Sequence, residues 1–61
     1  MSQKPPADAQ PLSQIVKTLE DQGYIITEIE YEDNKWEVEG FSQEGEEVEF
    51  EVDPVTGEIE A

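Results

Sequence analysis

The sequence of 61 residues contains neither cysteine nor histidine. Without cysteine, no disulfide and no thiolate metal site can stabilise the fold, and a cysteine nucleophile is excluded. Without histidine, the chain lacks the commonest general base and the usual ligand of transition metals. Together these absences exclude many of the familiar catalytic and metal-binding arrangements.

Cationic residues are also scarce, with 3 Lys and Arg against 17 Asp and Glu, which gives a formal net charge of −14. Nucleic-acid phosphates and anionic lipid headgroups repel such a chain, so we expect no nucleic-acid binding. The remaining partners are basic protein surfaces and cations. Intrinsic disorder is common in acidic chains, but here the apolar residues recur at regular structural periods.

Long apolar runs are absent as well. No segment approaches the roughly 20 apolar residues of a membrane span, and residues 1–20 contain no signal-peptide core. A mature protein that had lost its signal peptide would look the same. The length allows one small domain of marginal stability.

The N-terminal part contains a leader and a helix. Residues 1–10 are polar, include Pro5-Pro6 and lack periodicity, which predicts a flexible leader before a domain at residues 11–61. Residues 12–22 place apolar side chains at i, i+3, i+4 and i+7, which predicts an amphipathic helix that ends at Gly23. Ser13 as an N-cap and Pro11 at the first helical position are alternative starts.

Three segments after the helix, residues 24–32, 35–41 and 47–53, alternate apolar and polar residues as strands do. Asp33-Asn34 and residues 42–45 are turns between them, and a three-residue turn closed by Gly57 leads to a short fourth strand at residues 58–60. Gly40 indicates a close approach of the helix or a bulge. The predicted inward-facing residues are Ile25, Ile29, Tyr31, Trp36, Val38, Val48, Phe50, Val52 and Ile59.

These elements predict an α+β fold, in which one N-terminal helix packs on one face of an antiparallel three- to four-stranded β-meander. The opposite sheet face is acidic. It carries Glu28, Glu30, Glu37, Glu39, Glu47, Glu49 and Glu51. One interpretation is a solvated face that prevents aggregation, and the other is an electronegative plate that binds a basic partner or divalent cations.

Carboxylates on a flat, wet face do not provide the buried acid of raised pKa that glycoside hydrolysis requires. Neither acidic turn has the ligand spacing of a calcium loop. We therefore expect no enzymatic activity, no cofactor and no dedicated metal site.

Three apolar residues, Tyr24, Ile26 and Phe41, fall in the outward register of the predicted strands. Apolar side chains on a charged face form a candidate partner patch, although they would equally serve to cover a helix end or a turn.

The segment Asp53-Pro54-Val55-Thr56-Gly57 is predicted to be structural. Pro54 fixes φ for a turn, the Asp53 carboxylate accepts hydrogen bonds from the following amides, and Gly57 adopts positive φ. Asp53, Pro54, Thr56 and Gly57 are thus a turn motif rather than an active site.

The order of these motifs resembles the PepSY domain family. The resemblance rests on Leu19-Glu20-Asp21-Gln22-Gly23-Tyr24, then Trp36-Glu37-Val38-Glu39, then Val52-Asp53-Pro54-Val55-Thr56-Gly57-Glu58-Ile59. It implies a helix packed on an antiparallel sheet, similar to one unit of the beta-lactamase inhibitor protein. It also implies a periplasmic or secreted bacterial protein and a role in restraining peptidases.

The favoured hypothesis is a non-enzymatic, monomeric binding module that inhibits or modulates a peptidase in the cell envelope or outside the cell. The alternative is an acidic structural or cation-associating envelope protein without a protease target. An acidic decoy for a nucleic-acid-binding protein has only the charge in its favour.

Overall fold

A computed structural model describes residues 4–60, which form one helix followed by a four-stranded antiparallel sheet. The strand order in the sheet, β1-β2-β3-β4, is the order in the chain. The predicted α+β meander is therefore confirmed. The elements are α1 (Leu12–Asp21), β1 (Ile25–Glu32), β2 (Lys35–Phe41), β3 (Glu47–Val52) and β4 (Ile59–Glu60). Residues 1–3 of the predicted leader lie outside the described residues.

Helix α1 begins directly after Pro11, whose carbonyl oxygen accepts hydrogen bonds from the Gln14 and Ile15 amides at 2.9 and 3.2 Å. No side chain of residues 4–60 forms a capping hydrogen bond at this end. Ser13 lies inside the helix, so its predicted role as the N-cap is wrong. Pro11 itself is the N-cap, with φ of −58° and a non-helical ψ of 142°, so its predicted place at the first helical position is wrong by one residue.

The helix ends in a Schellman motif at Gly23, as the glycine predicted. Gly23 has φ of 98° and donates to the Glu20 carbonyl at 2.9 Å, while Tyr24 donates to the Leu19 carbonyl at 3.2 Å. Only glycine adopts this conformation without strain from a Cβ atom. The motif turns the chain back, so that Tyr24 packs against the core.

The core lies between α1 and the inner face of the sheet. Two helix residues, Ile15 and Leu19, and two strand residues, Val38 and Val52, are fully buried. Partly buried apolar side chains surround them, namely Tyr24, Ile26, Ile29, Trp36 and Phe50. Such a small core agrees with the marginal stability expected of a chain of this length.

The β1–β2 hairpin closes through Asp33 and Asn34, with φ of 53° and 66°, and Glu32 pairs with Lys35. This is the predicted two-residue turn, and its positive φ values match the twist of the two strands. In the β2–β3 connection Gly45 has φ of 87°, and the Ser42 hydroxyl accepts from the Glu46 amide at 3.2 Å.

Strand β1 contains a bulge that the sequence did not reveal. Ile26 pairs with Gly40 and Glu28 pairs with Glu39, so Thr27 is an extra residue without a partner in register. The bulge reverses the alternation of side chains before it. Ile25 is consequently 62% exposed, and Ile26 packs against the core. The predicted inward position of Ile25 and outward position of Ile26 are both wrong.

Gly40 lies opposite the bulge, where a side chain would collide with the backbone carbonyl of Ile25. The prediction of a close approach or a bulge at Gly40 is thus confirmed in part, because the bulge is in the neighbouring strand and the close approach is that of β1 rather than of the helix.

The last hairpin is closed by a loop of four residues, 54–57, one more than predicted. The Asp53 amide donates to the Glu58 carbonyl at 2.9 Å, and the Gly57 amide donates to the Asp53 carbonyl at 2.8 Å. Gly57 has the predicted positive φ, 78°. Ile59 pairs with the buried Val52 but is 42% exposed, because β4 is an edge strand of the sheet.

The end of the leader contacts this loop. The Gln10 amide donates to the Pro54 carbonyl at 2.8 Å, and the Gln10 side-chain amide donates to the Val55 carbonyl at 3.2 Å. The described part of the leader is therefore joined to the domain at Gln10.

Candidate functional site

The sheet face opposite α1, here called the outer face, is built from rows of residues that pair across the strands. Side chains that pair across antiparallel strands share a face and lie close together. The apolar row contains Ile25 and Phe41, with Glu47 beside them. The first acidic row contains Glu28, Glu39 and Glu49, and the second contains Glu30, Glu37, Glu51 and Glu60.

Repulsion within the first acidic row raises the pKa of its central carboxyl group. Glu39 is flanked by Glu28 on β1 and by Glu49 on β3. The charge of Glu28 is the largest cause of the raised pKa of Glu39, followed by desolvation and by the charges of Glu49 and Glu47. A positive charge beside Glu39 would relieve this repulsion.

The centre of the second acidic row behaves similarly, with a different main cause. Desolvation is the largest contribution to the raised pKa of Glu37, and the charges of Glu32, Glu51 and Glu30 add to it. Both central carboxyl groups therefore oppose folding at neutral pH, so the outer face costs stability.

Within residues 4–60, the ion pairs of the lysines neutralise one end of this face. Lys35, on β2, forms an ion pair with Glu60 at the edge of the second acidic row. Lys17 pairs with Asp21 along the helix at 2.9 Å. Lys4 precedes the helix, and the sequence contains 3 Lys and Arg in total. The first acidic row thus has no cation of this chain among its strand partners.

Two carboxylates of the second acidic row meet a third one from Glu32, in a cluster that sequence reasoning did not single out. One oxygen each from Glu30, Glu32 and Glu37 lies within 4.8 Å of the others. The strand pattern contains the information that brings them together. Glu30 and Glu32 are two residues apart on β1 and so share a face, and Glu37 pairs with Glu30 across the strands. If each carboxylate contributes one oxygen, the cluster supplies three ligands, fewer than the six to eight that Ca²⁺ takes, so waters would complete any such coordination.

A shallow depression of about 330 Å³ lies between the apolar row and the first acidic row. Phe41, Thr27 and three carboxylates, Glu39, Glu47 and Glu49, form part of its wall. Thr27 is held there by a hydrogen bond from its hydroxyl to the Glu39 carbonyl at 3.2 Å. A bulge increases the local twist of a sheet, and the bulge residue Thr27 lies in the wall of this depression.

The predicted partner patch of Tyr24, Ile26 and Phe41 is not one surface. Tyr24 packs on the ring of Phe50, with 5.2 Å between centroids, and Ile26 lies on the inner face. Phe41 is 37% exposed on the outer face, where its neighbour is Ile25. Two features of the sequence could have indicated the bulge that exchanges Ile25 and Ile26. These are the two adjacent isoleucines themselves and the glycine in β2, since glycine inside a strand often accompanies a bulge.

The side chains of the turn motif form hydrogen bonds with backbone groups of their own loop. One Asp53 oxygen, Oδ1, accepts from the Val55 and Thr56 amides at 2.8 and 3.0 Å, and these bonds lower the pKa of Asp53. The Thr56 hydroxyl accepts from the Glu58 amide at 3.2 Å. Pro54 is buried, and Gly57 closes the loop beside Gln10. These contacts hold the loop in place.

The fold and the outer face define a class of protein: a small α+β module that presents a charged sheet surface to its surroundings. The model of the PepSY_2 family, described as peptidase propeptide and YPEB domain, matches residues 1–61, the whole chain. The protein therefore belongs to the PepSY family. No curated protein and no solved structure matches the chain significantly. Within residues 4–60, no helix is long and apolar enough to cross a membrane.

Proposed function

We propose that the protein is a non-catalytic binding module that inhibits or modulates a peptidase, in the cell envelope or outside the cell. The observation that carries this proposal is the match of the whole chain to a family described by peptidase propeptides. A propeptide domain acts by binding, so a surface is sufficient for such a function.

Two exposed features of the sheet support a binding role. Strand β1 is an edge strand of eight residues, and an edge strand can pair with an extended segment of a partner. The outer face combines a strong negative charge with the exposed Ile25 and Phe41. This composition suits a partner that presents basic and apolar groups together.

The environment of the carboxylates supports the absence of catalysis. Among the described residues, no polar or charged side chain is fully buried. Glu39 is exposed on the sheet face, where water screens its charge, and Glu37 is half-buried there rather than enclosed. A general acid needs a more enclosed position to be both protonated and directed at a substrate.

The proposal is tested by adding the full chain to secreted bacterial metallopeptidases and measuring peptide hydrolysis at increasing protein concentration. Saturable inhibition is expected for a susceptible peptidase. Phe41→Ser should weaken it, whereas Leu12→Ser is a matched control, because Leu12 is exposed to 38% and Phe41 to 37%. Unchanged hydrolysis together with no complex in size-exclusion chromatography would contradict the proposal.

The alternative, an acidic cation-associating envelope protein, is supported by the convergence of Glu30, Glu32 and Glu37. It predicts that millimolar CaCl₂ raises the thermal midpoint more than NaCl of equal ionic strength. Glu30→Gln should abolish the difference, and Glu20→Gln on the helix should leave it intact. Equal midpoints in both salts would eliminate this alternative.

A further inference from the structure

Two shallow depressions lie on the outer face: one is lined by Glu37, Glu49, Phe50 and Glu51, and the other, between the apolar row and the first acidic row, has an exposed aromatic ring and no cation among the described residues of its wall. This second depression lies beside Phe41, at the end of the sheet away from the Lys35–Glu60 ion pair. Its volume, about 330 Å³, is near the lower limit of pockets that hold small ligands. One side chain of a partner protein is the kind of group that fits such a depression.

The walls of the depression combine two chemistries. Phe41 provides an exposed aromatic ring, which attracts a cation to its face. Glu39, Glu47 and Glu49 provide carboxylates, and Thr27 stands beside them. A planar guanidinium satisfies both, because it stacks on an aromatic ring and donates several hydrogen bonds to carboxylates in its plane.

We propose that the depression between the apolar row and the first acidic row binds an arginine side chain from an extended segment of a partner protein. Phe41 stacks on the guanidinium, and Glu39, Glu47 and Glu49 accept its hydrogen bonds. Ile25, which is exposed next to Phe41, contacts the apolar stem of the arginine or the residue beside it.

Charge complementarity favours this occupant over an apolar one. An apolar side chain would desolvate three carboxylates without pairing them, which is costly. An ammonium group of lysine would pair with them as a point charge but would not use the planar geometry of the site. The raised pKa of Glu39 agrees with this interpretation, because it reports repulsion that a bound cation removes.

This inference rests on the proposed function and specifies its partner. It implies that the peptidase presents an arginine on an accessible loop or strand. The other acidic groups of the outer face then contribute to attraction at a distance, which speeds association, while the depression gives the contact its specificity.

The test uses two blocked pentapeptides that differ only at the central residue, which is arginine in one and its uncharged isostere citrulline in the other. Each is titrated into the ¹⁵N-labelled full chain at low salt, and amide shifts are recorded. We expect the arginine peptide to cause saturable shifts centred on Thr27, Phe41 and Glu49, with weaker or no shifts from the citrulline peptide. Added NaCl should weaken binding.

The variants separate the two chemistries. Phe41→Ala should weaken binding of the arginine peptide about two- to five-fold, which is the effect of one exposed cation–π contact. The double variant Glu39→Gln, Glu49→Gln should weaken it about two- to ten-fold by loss of two exposed ion pairs. Glu30→Gln with Glu51→Gln removes the same charge from the second acidic row and should have the smaller effect.

Shifts spread evenly along both acidic rows, or equal weakening by the two double variants, would overturn the inference, because either result means diffuse attraction without a site. The outcome for the proposed function is distinguishable. Peptide binding at the depression without inhibition of any peptidase would support the proposed arginine site and contradict the proposed function. Peptidase inhibition that stays at full strength in Phe41→Ala and in the Glu39, Glu49 double variant would support the proposed function and contradict the proposed arginine site.

Discussion

The backbone carbonyl oxygen of Ile25 occupies the space that a side chain at Gly40 would need. These two residues are on neighbouring strands and flank the bulge at Thr27. The bulge brings the two backbones together, and it also turns Ile25 outward and Ile26 inward. One local irregularity thus sets both the packing of β1 and the composition of the outer face.

We predict that Gly40→Ala destabilises the protein by about 3 kcal/mol, the upper end of the usual cost of forcing atoms into a packed position, because the atom in the way is backbone. Gly45→Ala is the control, since it has open space around its Cβ position and is strained only by its φ of 87°, at a cost of about 1 kcal/mol. Urea unfolding followed by Trp36 fluorescence measures both. Equal costs would show that the close approach is unimportant.

The two adjacent isoleucines should respond differently to the same substitution. Ile26→Thr is expected to lower the free energy of unfolding by about 1–2 kcal/mol, because it removes apolar contacts with the core and places a hydroxyl there. Ile25→Thr should change it by less than about 0.5 kcal/mol, as is usual at exposed positions. The reverse order in urea unfolding would mean that β1 has no bulge at Thr27.

Mild acidification should stabilise the protein. Glu37 and Glu39 have pKa values raised above the ordinary 4.5, so the folded chain binds their protons more tightly than the unfolded chain does. The thermal midpoint should therefore increase as the pH falls from 7 towards 4.5. Below that, Asp53 acts in the opposite direction, because its pKa is lowered from 3.8 and protonation favours the unfolded chain.

Calorimetry between pH 3 and 7 measures this profile, and we expect the maximum at about pH 4–5. Glu39→Gln should raise the midpoint at pH 7 and reduce the gain on acidification. Glu20→Gln, which removes a charge from the helix, is the control. A midpoint that falls steadily from pH 7 to 4.5 would contradict the repulsion described for the outer face.

The carboxylate of Asp53 should be needed as a hydrogen-bond acceptor. Asp53→Ala removes the acceptor of the Val55 and Thr56 amides, whereas Asp53→Asn keeps a carbonyl oxygen at the same place. We expect the alanine variant to melt at the lower temperature and to show faster hydrogen exchange at both amides. Equal exchange rates in the two variants would show that these bonds do not hold the loop.

Much of the fold follows from local patterns. The apolar spacing of α1, the glycine at its end and the Asp33-Asn34 turn each specify their structure through nearby residues, so the sequence alone was sufficient to predict them. The bulge depends on how β1 pairs with β2. Because Ile25 and Ile26 are both apolar, the sequence pattern allows either of them to face the core. Only the backbone approach at Gly40 decides between them.

The candidate site was predictable to a similar extent. Phe41 and the glutamates of β2 and β3 follow from the alternation in these strands, which have no bulge, and Glu28 and Glu30 follow from the alternation in the part of β1 after the bulge. The outward position of Ile25 and the place of Thr27 in the wall of the depression do not, because both result from the bulge. The Gln10 contact was also missed, since a leader without periodicity gives no indication of what it touches.

The order of the strands has a consequence for folding kinetics. Each strand pairs with the one before it, so the sheet assembles by closing short loops in sequence, which favours rapid folding. The bonds from Gln10 to Pro54 and Val55 are different, because they join residues 44 and 45 positions apart. Closing so long a loop costs more entropy than any hairpin does, and these bonds should form after the sheet. Weakening them should therefore accelerate unfolding and leave the folding rate nearly unchanged.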